Sequence, residues 1–132
     1  MVDRVVATPE AVGVIEKLAA THGPLMFHQS GGCCDGSSPM CYQAGEFKVG
    51  GVDVYLGSIG GAPFWMWGEQ YEFFAASQLI IDVVSGRGAG FSLEAPEGVR
   101  FVTRSRIFSD AELVELEHQG PLRHGGDSSS NA

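Results

Sequence analysis

The stretch Gly23-Pro24-Leu25-Met26-Phe27-His28-Gln29 decides the fold, because the hydrophobic period changes there. Upstream, Val12, Ile15, Leu18 and Ala19 recur at helical spacing. That helix opens at Thr8-Pro9-Glu10, where Thr8 caps free N–H groups, Pro9 suits the first helical position and Glu10 favours the positive dipole end. Gly23 and Pro24 end it. From Leu25 to Gln29 the period is two, with Leu25 and Phe27 on one face and Met26 and His28 on the other. A helix thus runs directly into a strand, and the strand into the polar loop Ser30 to Cys41. Long structureless loops in compact domains are usually functional.

Further along, Glu46–Val49 and Val52–Leu56 read as a hairpin around Gly50-Gly51. Gly60-Gly61-Ala62-Pro63 is another turn, and Phe64-Trp65-Met66-Trp67 reads as strand. Gly68 to Ser77 fits either period. Leu79 to Val84 is an apolar strand interrupted by Asp82, followed by a glycine-rich turn, Ser85 to Gly90. Gly90–Leu93 and Val99–Ile107 complete the strands. Ser109-Asp110-Ala111-Glu112 is a capping box opening a short helix, with Leu113 and Leu116 inward and Gly120-Pro121 as its stop. There is no internal repeat and no linker. The expectation is one α+β domain over residues 1–124: a mainly antiparallel or mixed β-sheet with an N-terminal helix and a short C-terminal helix. The tail 125–132, without a side chain worth burying, reads as disordered.

Composition narrows the function. The chain has 132 residues, 8 Lys+Arg against 16 Asp+Glu, and a formal net charge of -8. Phosphate binding needs clustered positive charge, so nucleic acid is not an expected partner, nor is an anionic membrane surface. No run approaches the ~18 apolar residues of a membrane span. The start, Met1-Val2-Asp3-Arg4, has no basic region followed by an apolar core, so the expected location is cytoplasmic. Charged residues are only 18% and glycines number 19, which suits tight turns and a sheet-rich domain.

The three cysteines lie within nine residues, in the pattern His28…Cys33-Cys34…Cys41. Disulfide scaffolds spread their cysteines, whereas a cluster in a reducing compartment points to metal or thiol chemistry. Thiolate and imidazole are preferred ligands of zinc, iron and copper, and a glycine-rich loop lets thiols converge. Cys33, Cys34, Cys41 and His28 are therefore the candidate metal ligands, with zinc or iron as the ion. The bland alternative is a loop of buried, inert cysteines beside a structural histidine. A third reading is a thiol enzyme or redox protein, with Cys33 or Cys34 as the reactive thiol and His28 as its base.

Other features carry less. Glu69, Gln70, Tyr71 and Glu72 offer carboxylates that fit a mixed site or, more simply, a solvated turn. Arg100, Arg104 and Arg106 share a strand face, and surface pairing with carboxylates is the simpler use. Asp82 is a candidate buried partner for one of them. Gly86-Arg87-Gly88-Ala89-Gly90 precedes a strand rather than a helix, which excludes a dinucleotide loop. Trp65, Trp67, Phe73 and Phe74 supply aromatic surface for a protein partner or for a homo-oligomer.

Pro24 to Gly36, Leu79-Ile80-Ile81-Asp82-Val83-Val84 through Gly90-Phe91-Ser92-Leu93-Glu94-Ala95-Pro96, and Thr103-Arg104-Ser105-Arg106 together resemble a small bacterial family, domain of unknown function 779. Genes of that family often lie beside aldehyde dehydrogenase genes. The resemblance therefore implies an accessory role with an aldehyde dehydrogenase as partner. More distantly, Gly31-Gly32-Cys33-Cys34-Asp35-Gly36 and Leu79 to Val84 resemble the A-type iron–sulfur carrier (HesB-like) fold. That likeness makes Cys33 the counterpart of the carrier's first cysteine and implies an iron–sulfur cluster. The carriers' closing C-x-C pair has no counterpart here, since nothing after Cys41 is cysteine.

Overall fold

Thr8 begins the first helix as its residue type dictates. Its hydroxyl oxygen accepts from Ala11 N at 3.1 Å, and Pro9 fills the first helical position. The structure, a computed structural model, describes residues 2–29, 38–86 and 92–125. In chain order its elements are β1 (Val5–Ala7), α1 (Pro9–His22), β2 (Leu25–Gln29), β3 (Met40–Gln43), β4 (Asp53–Ile59), β5 (Ala62–Trp67), α2 (Gly68–Phe74), β6 (Ser77–Ser85), a 3₁₀ turn (Ala95–Glu97), β7 (Val99–Ile107) and α3 (Asp110–His118). The expected α+β class, with a helix near each end, is what the chain adopts.

The strands form two mixed sheets rather than one. A three-stranded sheet has the order β1-β6-β7, with β1 parallel to β6 and β6 antiparallel to β7. A four-stranded sheet has the order β3-β2-β5-β4, with β2 antiparallel to β3 and parallel to β5. Inner-face residues of both sheets and of α1 enter a single core, including Ile15, Leu18, Phe64, Leu79 and Phe101. Phe27 joins the sheets. Its ring stacks on Phe64 at 6.0 Å and meets Phe101 edge-on at 5.1 Å. Such aromatic pairs contribute beyond their buried area, by about 0.5–1.5 kcal/mol each. Thr103 in β7 also donates its hydroxyl to Gln29 Oε1 in β2, a second tie between the sheets.

Several local expectations move. The helix buries Ala11, Ile15 and Leu18, while Val12 is only half-buried. The hairpin turns at Gly60-Gly61 and joins β4 to β5, so Glu46–Val49 is not a strand. The two double-glycine turns look alike locally, and the strand Ala62–Trp67 selects the second by pairing with β4. Met40 and Cys41, expected at the end of the loop, belong to β3 (Met40–Gln43). Gly68–Phe74, left between two periods, is helical and buries Gln70 and Phe74. Ser92 and Leu93 are turn rather than strand. The tail 126–132 lies outside the described residues, but Gly125 is described and donates to Asp53 O at 2.9 Å.

Gly60 illustrates how tightly α1 lies on the hairpin. Its φ is +56°, and a Cβ there would stand 2.8 Å from Ile15 Cγ2. Gly61 has φ +83° with nothing within 4 Å of a Cβ. Replacing Gly61 with Ala therefore carries the backbone cost alone, about 1–2 kcal/mol. Gly60→Ala adds overpacking against Ile15 and is expected to lose about 2–4 kcal/mol. Urea unfolding midpoints of the two variants test this, and equal losses would contradict the close approach.

Candidate functional site

The alternation of β2 sends its side chains to two different places. Register places His28 opposite Met40 in β3 and Trp65 in β5, and Met26 opposite Tyr42. Asp53 and Tyr55 in β4 stand opposite Trp67 and Trp65. By parity these residues share the outer face of the four-stranded sheet. There His28 Nε2 lies 2.7 Å from Asp53 Oδ1, and both residues are buried, at 5% and 6% exposure. Phe47 covers the pair, its ring stacked on His28 at 4.2 Å and on Tyr42 at 5.2 Å.

Asp53 is held from several directions. Its Oδ2 accepts from Gly50 N at 2.9 Å, and its own N–H donates to Gly50 O at 3.0 Å. This is the turn chemistry of an acidic side chain folding onto the backbone before it. The strap after α3 closes the free edge of β4: Tyr55 N donates to Arg123 O at 2.9 Å and Val54 bridges His124. A buried carboxylate fixed this way orients the imidazole and engages Nε2, so chemistry at the ring falls to Nδ1. Carboxylate–histidine pairs serve metal ligands and general bases in this manner.

Cys41 sits elsewhere. It stands opposite Phe27 and is fully buried on the core side of the sheet, away from His28. Burial, with Glu94 adding to it, pushes its thiol up to about 12 from 9.0. Its backbone N–H donates to Ser92 Oγ at 2.9 Å, and Ser92 in turn bonds the buried Glu94 carboxylate, whose Oε2 accepts from Phe101 N. The expected convergence of Cys41 with His28 is therefore not what the register gives. Placing Cys41 in a strand, not a loop, is the physical reason, since parity assigns it the face of Phe27. Cys33 and Cys34 lie outside the described residues, as does the glycine run 87–90. Among the described residues, no three His, Cys, Asp or Glu side chains form a group able to hold a metal ion.

The remaining candidates resolve simply. Arg104 Nε meets Asp82 Oδ2 at 3.1 Å, a half-exposed pair rather than a buried one. Arg106 forks onto Glu112 at 2.9 and 2.7 Å, and Arg100 donates to Ser38. Glu69 and Glu72 are exposed on α2, whereas Tyr71 accepts from Arg4 at 2.6 Å. Trp65 and Phe74 are buried, and Trp67 and Phe73 are exposed. Asp53 and Phe47 sit in no sequence motif that marks them as site residues. The sequence signal that bears on Asp53 is its place at the head of the alternation Asp53, Tyr55 after a double-glycine turn.

With Cys33 and Cys34 both replaced by Ser, Cys41 is the single thiol left. At pH 8 a pKa of about 12 rather than 9.0 lowers its thiolate population about a thousandfold. Its reaction with a chromogenic disulfide is expected to be slower in the folded protein than in urea by at least that order. Comparable rates in both states would place Cys41 in contact with solvent.

Comparison with known proteins adds one finding. No curated protein and no solved structure matches the chain. A family model described as a domain of unknown function (DUF779) matches residues 14–107, well over half of the 132. Strands β2 to β7, including all four that build the outer face, fall inside that match, and the chain belongs to this family.

Proposed function

We propose that the protein is a small cytoplasmic metal-binding accessory protein, with His28 as the anchoring ligand. One observation carries the reading: His28 is buried against Asp53 at 2.7 Å, the outer-shell arrangement that orients metal-bound imidazoles. Cys33 and Cys34 follow five and six residues later in the chain and supply the thiolates. Imidazole with thiolate suits zinc or iron, and an iron–sulfur cluster is the redox form of the same donor chemistry. Bound metal would add Lewis acidity or redox capacity. The chain's own residues fix one ring nitrogen, exclude water through Phe47 and present the other nitrogen. Cys41, facing the core with its thiol held protonated, is left out of the ligand set. An aldehyde dehydrogenase is the partner the family's gene neighbourhood implies, with Trp67 and Phe73 as exposed aromatic contacts.

The same pair favours a second reading. A carboxylate–imidazole pair also activates a nucleophile, so Cys33 or Cys34 would be a reactive thiol with His28 as its base.

Elemental analysis of protein purified without added metal decides between them. The metal reading expects one equivalent, lost in His28→Ala and Cys33→Ser and retained in Cys41→Ala. Asp53→Asn is expected to weaken metal affinity by about 10–100-fold. Substoichiometric metal, indifferent to all four changes, defeats it. A metal-free protein whose thiol alkylates rapidly below pH 7, and slowly in His28→Ala, instead supports the thiol reading.

A further inference from the structure

The turn that follows β3 builds a cavity out of backbone hydrogen bonds. Glu46 N donates to Gln43 O at 3.0 Å and closes the four-residue turn Gln43-Ala44-Gly45-Glu46. Gly45 stands third in it with φ +92°, a conformation that glycine adopts without steric cost. Ala44 N donates to Pro24 O at 2.8 Å and Gln43 Nε2 to His22 O at 2.9 Å, so the turn is anchored on the junction of α1 and β2. Leu93 N donates to Cys41 O at 3.0 Å, which sets Leu93 along β3. Tyr42, Gln43, Glu46 and Leu93 line a cavity of about 450 Å³. Small-molecule sites run from about 300 to 1,000 Å³, so this one has ligand size.

The chemistry of these four residues selects a cationic hydrogen-bond donor. Glu46 brings a carboxylate, which only accepts when ionised. The Gln43 amide spends an N–H on His22 and keeps Oε1 as an acceptor. Among the described residues, neither the Glu46 carboxylate nor Gln43 Oε1 has a hydrogen-bond partner. Burial pushes the Tyr42 phenol up, so at neutral pH it is uncharged, and an aromatic ring attracts a cation to its face. Calcium takes about 6–8 oxygen ligands, more than one carboxylate, one amide and one phenol supply, so the set suits an organic cation better. Leu93 offers hydrocarbon to whatever chain that cation carries.

We propose that this cavity binds a small primary alkylammonium, its nitrogen donating to the Glu46 carboxylate and to Gln43 Oε1 and its alkyl chain against Leu93. An ammonium on a carboxylate makes charge-assisted hydrogen bonds, stronger than neutral ones. The alkyl chain adds affinity in proportion to the apolar surface it covers. The cavity uses neither His28 nor Cys33 and Cys34, so the assignment does not depend on whether those residues hold a metal.

Backbone amide shifts of the full chain, recorded during titration with n-butylammonium chloride, test the assignment. Saturable shifts are expected at Gln43, Glu46 and Leu93. Glu46 is exposed, so Glu46→Gln removes the charge at little cost to folding. That variant is expected to raise Kd by about tenfold. Glu72, exposed on α2 and outside the cavity, controls for the net charge of -8. Glu72→Gln is expected to leave Kd within about twofold, since separated surface charges are screened by salt. Butan-1-ol, which lacks the charge, and tetramethylammonium, which lacks an N–H, are each expected to bind at least about tenfold more weakly. Absence of saturation, shifts confined to other regions, an unchanged Kd in Glu46→Gln, an equal loss in Glu72→Gln, or equal affinity for either comparison compound would each overturn the proposal.

Discussion

Burial of β2 on both faces governs what the rest of the molecule has to do. All five residues, Leu25 to Gln29, are buried, and two of them are polar. Leu25, Phe27 and Gln29 enter the space between the sheets, where Phe64 and Phe101 close on Phe27. Met26 and His28 go to the outer face. A buried imidazole without a partner would forfeit its solvation, so that face must supply one. Asp53 is the partner, and its own carboxylate is then satisfied by Gly50 N. The double-glycine turn at residues 50–51 thus positions a carboxylate, although its sequence resembles a hairpin loop. Gln29 shows the cost of the arrangement. Its Oε1 accepts from Thr103, while its Nε2 is buried without a hydrogen-bond partner among the described residues.

What could be read from the sequence was what is decided locally. The caps of α1 and α3 are written in adjacent residues, Thr8-Pro9 and the Ser109/Glu112 box, and both form as expected. Strand β7 kept its bounds, Val99–Ile107, because its length and pattern leave no competing period. The facing of Met26 with His28 also followed from parity alone. Pairing choices were not local. Two double-glycine turns compete for one hairpin, and a register shift between Tyr55 and Gly57 breaks the alternation of β4. Strand β1 has three residues and exists because β6 offers it a parallel edge. The His28–Asp53 contact spans 25 positions, and nothing near either residue announces the other. Cys41 departs from the sequence expectation for a related reason. A thiol near two other thiols invites a shared site, but strand formation at Met40–Gln43 hands its orientation to Phe27.

The charged surface shows how an acidic chain spends few cations. Arg104 and Arg106 sit two residues apart on β7 and take Asp82 and Glu112 respectively. Glu112 is held at about 2, first by the Arg106 hydrogen bonds and then by Ser109 N–H. Asp82 is held below its ordinary range first by Val83 N–H and then by Arg104. Exposed pairs of this kind contribute little to stability. Their value here is geometric. Thr8 accepts from Ala11 N to cap α1 and donates to Asp82 Oδ1 at 3.0 Å, so one hydroxyl ties the helix start to β6.

The C-terminal strap reaches the buried His28–Asp53 pair from the free edge of β4. Its backbone hydrogen-bonds β4 through Tyr55 N and Gly125 N, and Gly125 N ends on the carbonyl of Asp53 itself. Its Arg123 side chain lies over Tyr55, Tyr55 packs on Trp65 at 5.3 Å, and Trp65 stands in register with His28. A row of neighbouring residues therefore crosses the outer face from Arg123 to His28. Energetic coupling along such a row requires an element with two arrangements, since packed sheets do not deform continuously. The sheet strands lack that freedom, being hydrogen-bonded on neighbours and buried in the core. Among the described residues the strap sets Leu122, partly buried, against the core, ties its backbone to β4 and brings His124 Nδ1 within 3.2 Å of Gly51 O. It is the element whose backbone accepts from Tyr55 at Arg123 and donates from Gly125 to Asp53.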